Sequence, residues 1–339
     1  MNLGYKKLLN DLRLKKPYFN DLHIVRFYSS YVAISNGKVI AITDNNMTYC
    51  PLAKSLYKNL NFTDDNCDIK KLITEAIEEK IKKFGHFSKN RELIRSDIAV
   101  PYGASEMLMY AMRKKAIDAS VVVCDGAGTV IVDKPELVQG IGARMNGLFF
   151  TTPIYEIIEE LKKHGCHIVS FRAAINQLEG VKKAISLGHK NVAVTMNVAM
   201  EESFSMFRDI EKQHNINLTL LAVCATGASE SRVNEIGKYA DLVWSCASSK
   251  LREVIAQCAV VQVSKKIPVF VLTKKGLDFL SRYSSDEALI QDLDLSQQYI
   301  ISNDCGGQCI KIGMFKAFIS QINLPVRDKK EPKFYEINK

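Results

Sequence analysis

The chain has 339 residues, of which 47% are hydrophobic and 24% charged, and its formal net charge is +9. These proportions are those of a globular protein with a large core, and the length suggests about two domains. The basic residues are spread along the chain without an aromatic-basic module, so we expect no nucleic-acid interface. The apolar runs fall far short of the roughly 20 residues that span a bilayer, and residues 1–16 lack an apolar signal core. We therefore expect a cytoplasmic protein without a membrane-bound part.

Residues 1–95 are predicted to form a small N-terminal region built on a hairpin and a helix. Two apolar runs, 23–35 and 38–43, flank Asn36 and Gly37, a pair that tolerates the positive φ values of a tight hairpin turn. Residues 69–84 carry apolar side chains at three- and four-residue spacing, which predicts a helix.

From residue 104 onward helices and strands alternate, which predicts an α/β core domain over residues 96–284. The predicted helices are 104–116, 154–164, 180–187, 201–213, 229–239 and 250–261, and the predicted strands are 119–124, 166–171, 191–196, 218–224, 242–246 and 268–273. Because the strands are continuous apolar runs, we expect a doubly wound, mostly parallel sheet that is covered on both faces. Residues 285–339 are interpreted as a C-terminal extension with a charged tail.

Three of the nine cysteines, Cys124, Cys224 and Cys246, close predicted strands. The carboxyl ends of parallel strands border the ligand crevice, so these thiols are expected on a shared rim. Cytoplasmic thiols stay reduced and are available as metal ligands or nucleophiles. Lys250 and Arg252 follow Cys246 at a helix start and would favour its thiolate. The alternative is that these cysteines are small buried core residues.

Two glycine-containing turns are candidate binding loops. Gly126, Gly128 and Thr129 follow the first of these strands, and Thr226 and Gly227 lie between a strand and a helix. Glycine allows backbone N–H groups to approach a phosphate or another anion, and a helix start carries free N–H donors. A tight structural turn and a capped helix start are the alternatives.

Further candidates are assigned by residue chemistry. Asp125 and Glu106 are the acid/base candidates, because carboxylates at a strand-end site can be tuned by burial. Arg144 and Arg172 are candidates to clamp an anionic substrate. Cys50, which precedes Pro51, and His86 are possible metal ligands beside the strand-end thiols. Cys305 and Cys309 form a separate Cys-x3-Cys pair whose role is left open.

Several motifs resemble the methanogenesis marker protein 8 family, which occurs in methanogens and some anaerobic bacteria. The similar segments are residues 49–52 (YCPL), 84–85 (FG), 103–106 (GASE), 124–131 (CDGAGTVI), 135–142 (PELVQGIG), 177–184 and 240–248 (ADLVWSCAS). The resemblance covers roughly residues 25–280 and brings no reaction with it. It implies that relatives often carry a cysteine near His86 and a histidine at Cys224. Both residue types ligate soft metals, so such an exchange is compatible with either a retained or a lost metal site.

Three functions are consistent with these residues. The leading hypothesis is an anaerobic enzyme or maturation factor with a cysteine-lined site that holds an iron–sulfur cluster or another thiolate-bound metal, or that handles sulfur. The second is a binding protein for a phosphorylated small molecule or a nucleotide. The third is a non-catalytic subunit or scaffold. A small-molecule or sulfur-containing substrate, a protein partner and a homo-oligomer all remain open.

Overall fold

The computed structural model describes residues 4–47, 50, 68–98, 100–200 and 202–328. The elements of the first half, in chain order, are α1 (Gly4–Lys15), β1 (His23–Phe27), β2 (Ser30–Ser35), β3 (Lys38–Ile42), α2 (Ile69–Phe84), α3 (Ala104–Arg113), β4 (Ala119–Cys124), β5 (Gly128–Val132), α4 (Pro135–Gly142), β6 (Gly147–Thr151), α5 (Tyr155–Lys163) and β7 (His167–Ile168). Those of the second half are α6 (Gln177–Ser186), β8 (Asn191–Asn197), α7 (Phe204–His214), β9 (Asn217–Val223), α8 (Glu230–Tyr239), β10 (Leu242–Trp244), α9 (Ser249–Cys258), β11 (Val261–Val263), β12 (Val269–Val271), α10 (Lys274–Ser281), α11 (Glu287–Gln291), β13 (Tyr299–Ser302), β14 (Gln308–Ile312) and β15 (Phe315–Gln321).

A four-stranded antiparallel sheet of order β3-β2-β1-β6 forms the first layer. The predicted turn at Asn36 and Gly37 is present, and both residues have positive φ. The run predicted as one strand over residues 23–35 is divided by a second tight turn at Tyr28 and Ser29, which also have positive φ. This extra turn folds β2 back onto β1 and leaves β1 free to pair with β6.

The larger sheet has eleven strands in the order β14-β15-β13-β11-β12-β10-β9-β8-β4-β5-β7. Of its ten described pairings, four are parallel and six antiparallel. The prediction of a doubly wound, mostly parallel sheet is therefore wrong. What remains of it is a central parallel block, β10-β9-β8-β4, and a separate parallel pair of β11 and β13.

Short connections explain the mixed character of the sheet. A parallel neighbour needs a crossover of a dozen or more residues, whereas a short loop can only return the chain antiparallel. Residues 125–127 join β4 to β5, and residues 264–268 join β11 to β12. Both links are far too short for a crossover helix. Beyond residue 284, where the sequence pattern is weak, β13, β14 and β15 extend the same sheet.

Apolar clusters lie on both faces of the large sheet. Val122 and Val121, neighbours on β4, belong to the two different clusters, as the alternation of side chains along a strand requires. The first sheet packs one face against Ile73 and Ile77 of α2, and the other against Leu9 of α1. The boundaries predicted at residues 95 and 284 stay predictions. Within the described ranges, no helix is long and apolar enough to cross a membrane.

Candidate functional site

Two of the three strand-end cysteines are neighbours in the structure. Cys224 directly follows β9, and Cys246 lies two residues beyond β10, the parallel neighbour of β9. The third, Cys124, ends β4, and β8 lies between β4 and β9. Since adjacent strands are about 4.8 Å apart, Cys124 is displaced sideways by roughly 10 Å. The rim therefore brings Cys224 and Cys246 together and leaves Cys124 apart.

Both paired cysteines occupy left-handed corners. The φ value of Cys224 is 59° and that of Cys246 is 47°, a region that non-glycine residues rarely adopt and that concentrates at functional sites. Cys246 lies between β10 and α9, whose N-terminus is capped by the Ser248 side chain accepting from the Leu251 N–H. A sharp strand–turn–helix corner of this kind presents a nucleophile at the end of a sheet in several hydrolases.

Backbone donors and arginines surround the Cys246 thiol. Burial raises its pKa, whereas hydrogen bonds from the N–H groups of Ala225 and Cys224 and the charges of Arg26 and Arg252 act in the opposite direction. Arg252 also donates to the carbonyl oxygen of Cys246 and so holds the corner. In the neighbouring thiol, burial raises the pKa of Cys224 to about 12. Both cysteines retain partial solvent exposure.

Arg26 on β1 faces these thiols with part of its guanidinium unpaired. The residue is 7% exposed, and its Nε and Nη1 atoms have no hydrogen-bond partner among the described residues. Its Cζ lies 5.5 Å from the ring centroid of Tyr31, whose buried hydroxyl also lacks a partner in those ranges. A buried charge without a counter-charge is costly, so the environment of this arginine favours an anionic partner.

Gly147 lets the Cys224 thiol approach this arginine. In the β1–β6 pair Arg26 is opposite Gly147, and in the β1–β2 pair it is opposite Tyr31. Directly opposed residues project to the same face with Cβ atoms about 5 Å apart. A Cβ at Gly147 would lie 2.6 Å from the Cys224 Sγ, so the thiol occupies the space that a side chain there would need. We call Arg26, Tyr31, Gly147, Cys224 and Cys246 the thiol–arginine site.

A second polar cluster surrounds Asp125. Its carboxylate accepts from the Phe87 N–H at 2.6 Å and from Arg91 Nε at 3.0 Å, and His86 Nδ1 lies 3.8 Å away. Burial alone would raise the pKa of Asp125, but Arg91, His86 and the Phe87 N–H outweigh it and hold the pKa well below its ordinary value. These partners hold Asp125 as a carboxylate, an arrangement that favours a structural role over acid/base catalysis.

The groups around Asp125 are equally well buried. Burial lowers the pKa of His86 well below its ordinary value and raises that of Cys124 well above it. Arg91 also donates to the Gly140 and Ile141 carbonyl oxygens. Cys124 is fully buried beside Asp125, so its thiol stays protonated.

Lys80 and Arg144 lie next to this cluster. The Lys80 ammonium donates to the Arg144 carbonyl oxygen at 3.0 Å and to the Asn146 side chain. Burial lowers the pKa of Lys80 to about 7, with a partly opposing effect from Asp125. The Arg144 guanidinium stacks on Phe84, 4.9 Å from the ring centroid, and its Nε has no partner among the described residues.

The first glycine turn is filled by protein. A Cβ at Gly126 would meet Ile154 at 2.8 Å, and one at Gly128 would meet the Ala173 backbone at 2.4 Å. The Thr129 hydroxyl donates to Gln177 at 2.7 Å. These residues lie in and next to the β4–β5 hairpin turn. They therefore fit the second alternative, a tight structural turn, better than an anion-binding loop. In the second turn, Thr226 and Gly227 keep partial exposure, and the Thr226 Oγ1 accepts from the Ala247 N–H at 3.3 Å.

The remaining candidates are dispersed. Glu106 is buried and accepts from the Val100 N–H, Ser105 and Gln139, which makes it part of the α3 start. Arg172 is exposed. Cys50 packs in the same apolar cluster as Ala247, and its backbone N–H donates to the Tyr28 hydroxyl at 3.1 Å. Pro51 and Cys67 lie outside the described residues, and of the two cysteines not yet mentioned, Cys166 is buried and Cys258 is exposed.

The described ranges contain no group of three or more His, Cys, Asp or Glu residues that could hold a metal ion. The donor chemistry agrees, because Cys124 is apart from Cys224 and Cys246, and the latter two face an arginine. A thiolate-bound metal or an iron–sulfur cluster on Cys50, Cys124, Cys224, Cys246 and His86 therefore does not fit the described arrangement.

Sequence reasoning missed Arg26, Tyr31 and Gly147. One signal was available: Arg26 is a charged residue inside the apolar run His23–Phe27, where a buried strand offers it no partner. No local signal indicated that this strand faces the ends of β9 and β10, because that contact joins residues about 200 positions apart.

The mixed eleven-stranded sheet and the thiol–arginine site define a protein of helices and mixed sheets with paired cysteines at neighbouring strand ends. The chain belongs to the family described as uncharacterized proteins conserved in archaea (DUF2099), which matches residues 23–283. It is 41% identical over 256 residues to the uncharacterized protein MJ0054 of Methanocaldococcus jannaschii. The aligned segment covers 75% of this chain and 87% of that protein. All five residues of the thiol–arginine site lie within the family match.

Proposed function

We propose that this protein is a sulfur-handling enzyme or maturation factor that works through the Cys246 thiol. The observation that carries the proposal is the placement of Cys246 at a left-handed strand–turn–helix corner, with two backbone N–H donors and two arginines around its sulfur. These groups stabilise negative charge on the sulfur and act against the effect of burial.

The proposed step is the transfer of a sulfane sulfur to Cys246. The Cys246 sulfur attacks the outer sulfur of a donor such as thiosulfate, and a new sulfur–sulfur bond forms. The sulfur–sulfur bond of the donor breaks, sulfite leaves with the bonding electron pair, and the thiol proton moves to the terminal sulfur of the new persulfide. The step needs no metal and no external oxidant. Cys224 is the second thiol of the site.

Sulfur chemistry fits the site better than the other hypotheses. Metal binding lacks a third ligand in the described ranges, and the Gly126 and Gly128 turn lacks room for a phosphate. A purely non-covalent anion-binding protein is the second candidate, which is favoured by the two Arg26 nitrogens that lack an acceptor in the described part of the chain. It predicts anion binding without any modification of Cys246.

The test is a mass measurement on anaerobically purified protein incubated with thiosulfate. We expect Cys246 to gain the mass of one sulfur atom, as located by peptide mapping, and Cys246→Ser to abolish the gain. Cys309→Ser is the matched control, because Cys309 is an exposed thiol outside the site. Sulfur that appears equally on Cys309 and Cys246, or on neither, would refute the proposal.

Two further attributes are proposed on weaker support. We propose a cytoplasmic location, which suits the eight unbridged cysteines of the described ranges, since reducing compartments keep thiols free. We also propose that the narrower label of methanogenesis marker protein 8 applies to this chain, on the motif resemblance described above.

A further inference from the structure

We propose that the substrate of the thiol–arginine site carries a compact oxyanion group, which binds to Arg26 beside the Cys246 sulfur. This inference rests on the proposed function, because it names the substrate class of the same site. The shared chemistry is that of a carboxylate, a sulfonate or a phosphate, each of which offers several acceptor oxygens to a guanidinium.

The first argument is the state of the Arg26 side chain. Arg91 is equally buried and bonds Asp125 and three carbonyl oxygens. The half-buried Arg208 bonds Asp241, Glu211 and two carbonyl oxygens. Arg26 is as buried as Arg91, yet two of its nitrogens have no acceptor among the described residues. Buried donors are normally satisfied, so an acceptor beyond the described residues is expected, and a bound oxyanion supplies one.

The second argument is the neighbourhood of that guanidinium. Among the described residues with a shifted pKa, the charge of Arg26 acts on Tyr31, Cys224 and Cys246, and none of these three is a carboxylate. The Tyr31 hydroxyl, directly across the strand pair, is a second buried group without a partner in the described ranges. Arg26 and Tyr31 together offer several donors and one net positive charge, which is the complement of a small oxyanion.

Protein groups already lie on both sides of the Arg26 guanidinium. Gly147 on one side of Arg26 is already covered by the Cys224 thiol, and Tyr31 on the other side packs 6.2 Å from Tyr5 of α1 and 5.0 Å from Phe149. The Tyr31 ring and the Cys224 thiol therefore flank the guanidinium. Neighbours this close suit a small oxyanion group and not a bulky ligand.

The experiment compares two alkylating reagents that differ mainly in charge, iodoacetate and iodoacetamide. Rates of modification are measured by peptide mapping at Cys246 and, as the internal reference, at the exposed Cys309 of the same sample. We expect the iodoacetate-to-iodoacetamide rate ratio at Cys246 to exceed that at Cys309 by roughly tenfold, the factor that a charge-assisted hydrogen bond can supply. Arg26→Gln should reduce it to the Cys309 value.

Matched variants separate Arg26 from general charge effects. Lys212→Gln removes one positive charge from the exposed surface of α7 and should leave the ratio unchanged. Arg26→Lys keeps the charge but loses the planar fork, and should retain only part of the preference. Protection of Cys246 from iodoacetamide by acetate, methanesulfonate or inorganic phosphate then identifies which oxyanion the site prefers.

The inference is overturned if wild-type Cys246 shows no greater preference for iodoacetate than Cys309, a result that needs no variant to fold. It is also overturned if Arg26→Gln, with an unchanged circular dichroism spectrum, keeps the preference. Its failure is distinguishable from that of the proposed function. Charge selectivity without sulfur transfer from thiosulfate would refute only the proposed function, and sulfur transfer without charge selectivity would refute only this inference.

Discussion

Gly147 and Cys224 are in direct contact across two different sheets, and the contact depends on the missing side chain of the glycine. The Cys224 Sγ lies 2.6 Å from the position that a Cβ of residue 147 would occupy. Because Gly147 is opposite Arg26 in the β1–β6 pair, this contact brings a thiol onto the face that carries the guanidinium. The site therefore exists only where the first sheet meets the strand ends of the second.

A methyl group at residue 147 should disturb this junction. We expect Gly147→Ala to lower the free energy of unfolding by about 1–3 kcal/mol, because overpacking displaces the Cys224 thiol. Urea unfolding followed by fluorescence measures the change. Gly306→Ala is the control, since nothing lies within 4 Å of its Cβ position. The double variant Gly147→Ala/Cys224→Ala should recover much of the loss, and strict additivity of the two changes would contradict the contact.

Removal of the Arg26 charge should leave the fold intact or stabilise it. An unsatisfied buried donor costs about 1–3 kcal/mol, so Arg26→Met should leave the free energy of unfolding unchanged or raise it by up to that amount. The gain should come with loss of the charge selectivity at Cys246, as is common where stability is sacrificed for function. A loss of more than 1 kcal/mol in denaturant unfolding would show instead that Arg26 is a structural residue.

Asp125 should behave as a structural residue and not as a catalyst. Its replacement by Asn leaves the buried Arg91 without its counter-charge, which should cost about 3–5 kcal/mol of unfolding free energy. The folded fraction should still accept sulfur from thiosulfate on Cys246, because Asp125 has no contact with that thiol. Asp97→Asn, which removes an exposed partner of Arg95, is the matched control and should cost little. Full stability of Asp125→Asn with loss of sulfur transfer would reverse the assignment.

Lys80 should make stability depend on pH in a defined window. Its pKa is about 7 in the folded protein and 10.5 as a free side chain, so between these values the unfolded state binds the extra proton. The contribution of Lys80 to stability should therefore rise with pH from about 7 to about 10, by at most about 1.4 kcal/mol per pH unit, and stay flat below pH 7.

The comparison of Lys80→Met with Lys82→Met isolates this effect, because Lys82 is an exposed residue of the same helix. The urea midpoint of each variant is measured from pH 6 to pH 10. Its rise with pH should be smaller than that of the wild type in Lys80→Met and equal to it in Lys82→Met. An identical pH profile for both variants would mean that Lys80 is charged throughout.

Local elements were predictable to a large extent. The bounds of α2 and β4 agree with the sequence prediction at both ends, and the helix start after Gly227 is capped by the Ser229 side chain, which accepts from the Arg232 N–H. Periodicity and capping act over a few residues, so they can be read from a short window. The main error concerns β5, which pairs antiparallel with β4 although a mostly parallel sheet was predicted. An apolar run does not show the direction of a strand, which here follows from the three-residue link that precedes β5.

The candidate site was predictable only in part, and the reason is distance along the chain. The sequence by itself determined that Cys224 and Cys246 end apolar strands before helices, because hydrophobic runs and caps are local features. It could not determine that β9 and β10 are adjacent in the sheet while β8 separates β4 from them, since strand order follows from packing. Only the tertiary structure decided that Arg26 faces these thiols with two nitrogens that no described residue satisfies, because burial brings β1 against strand ends about 200 residues away.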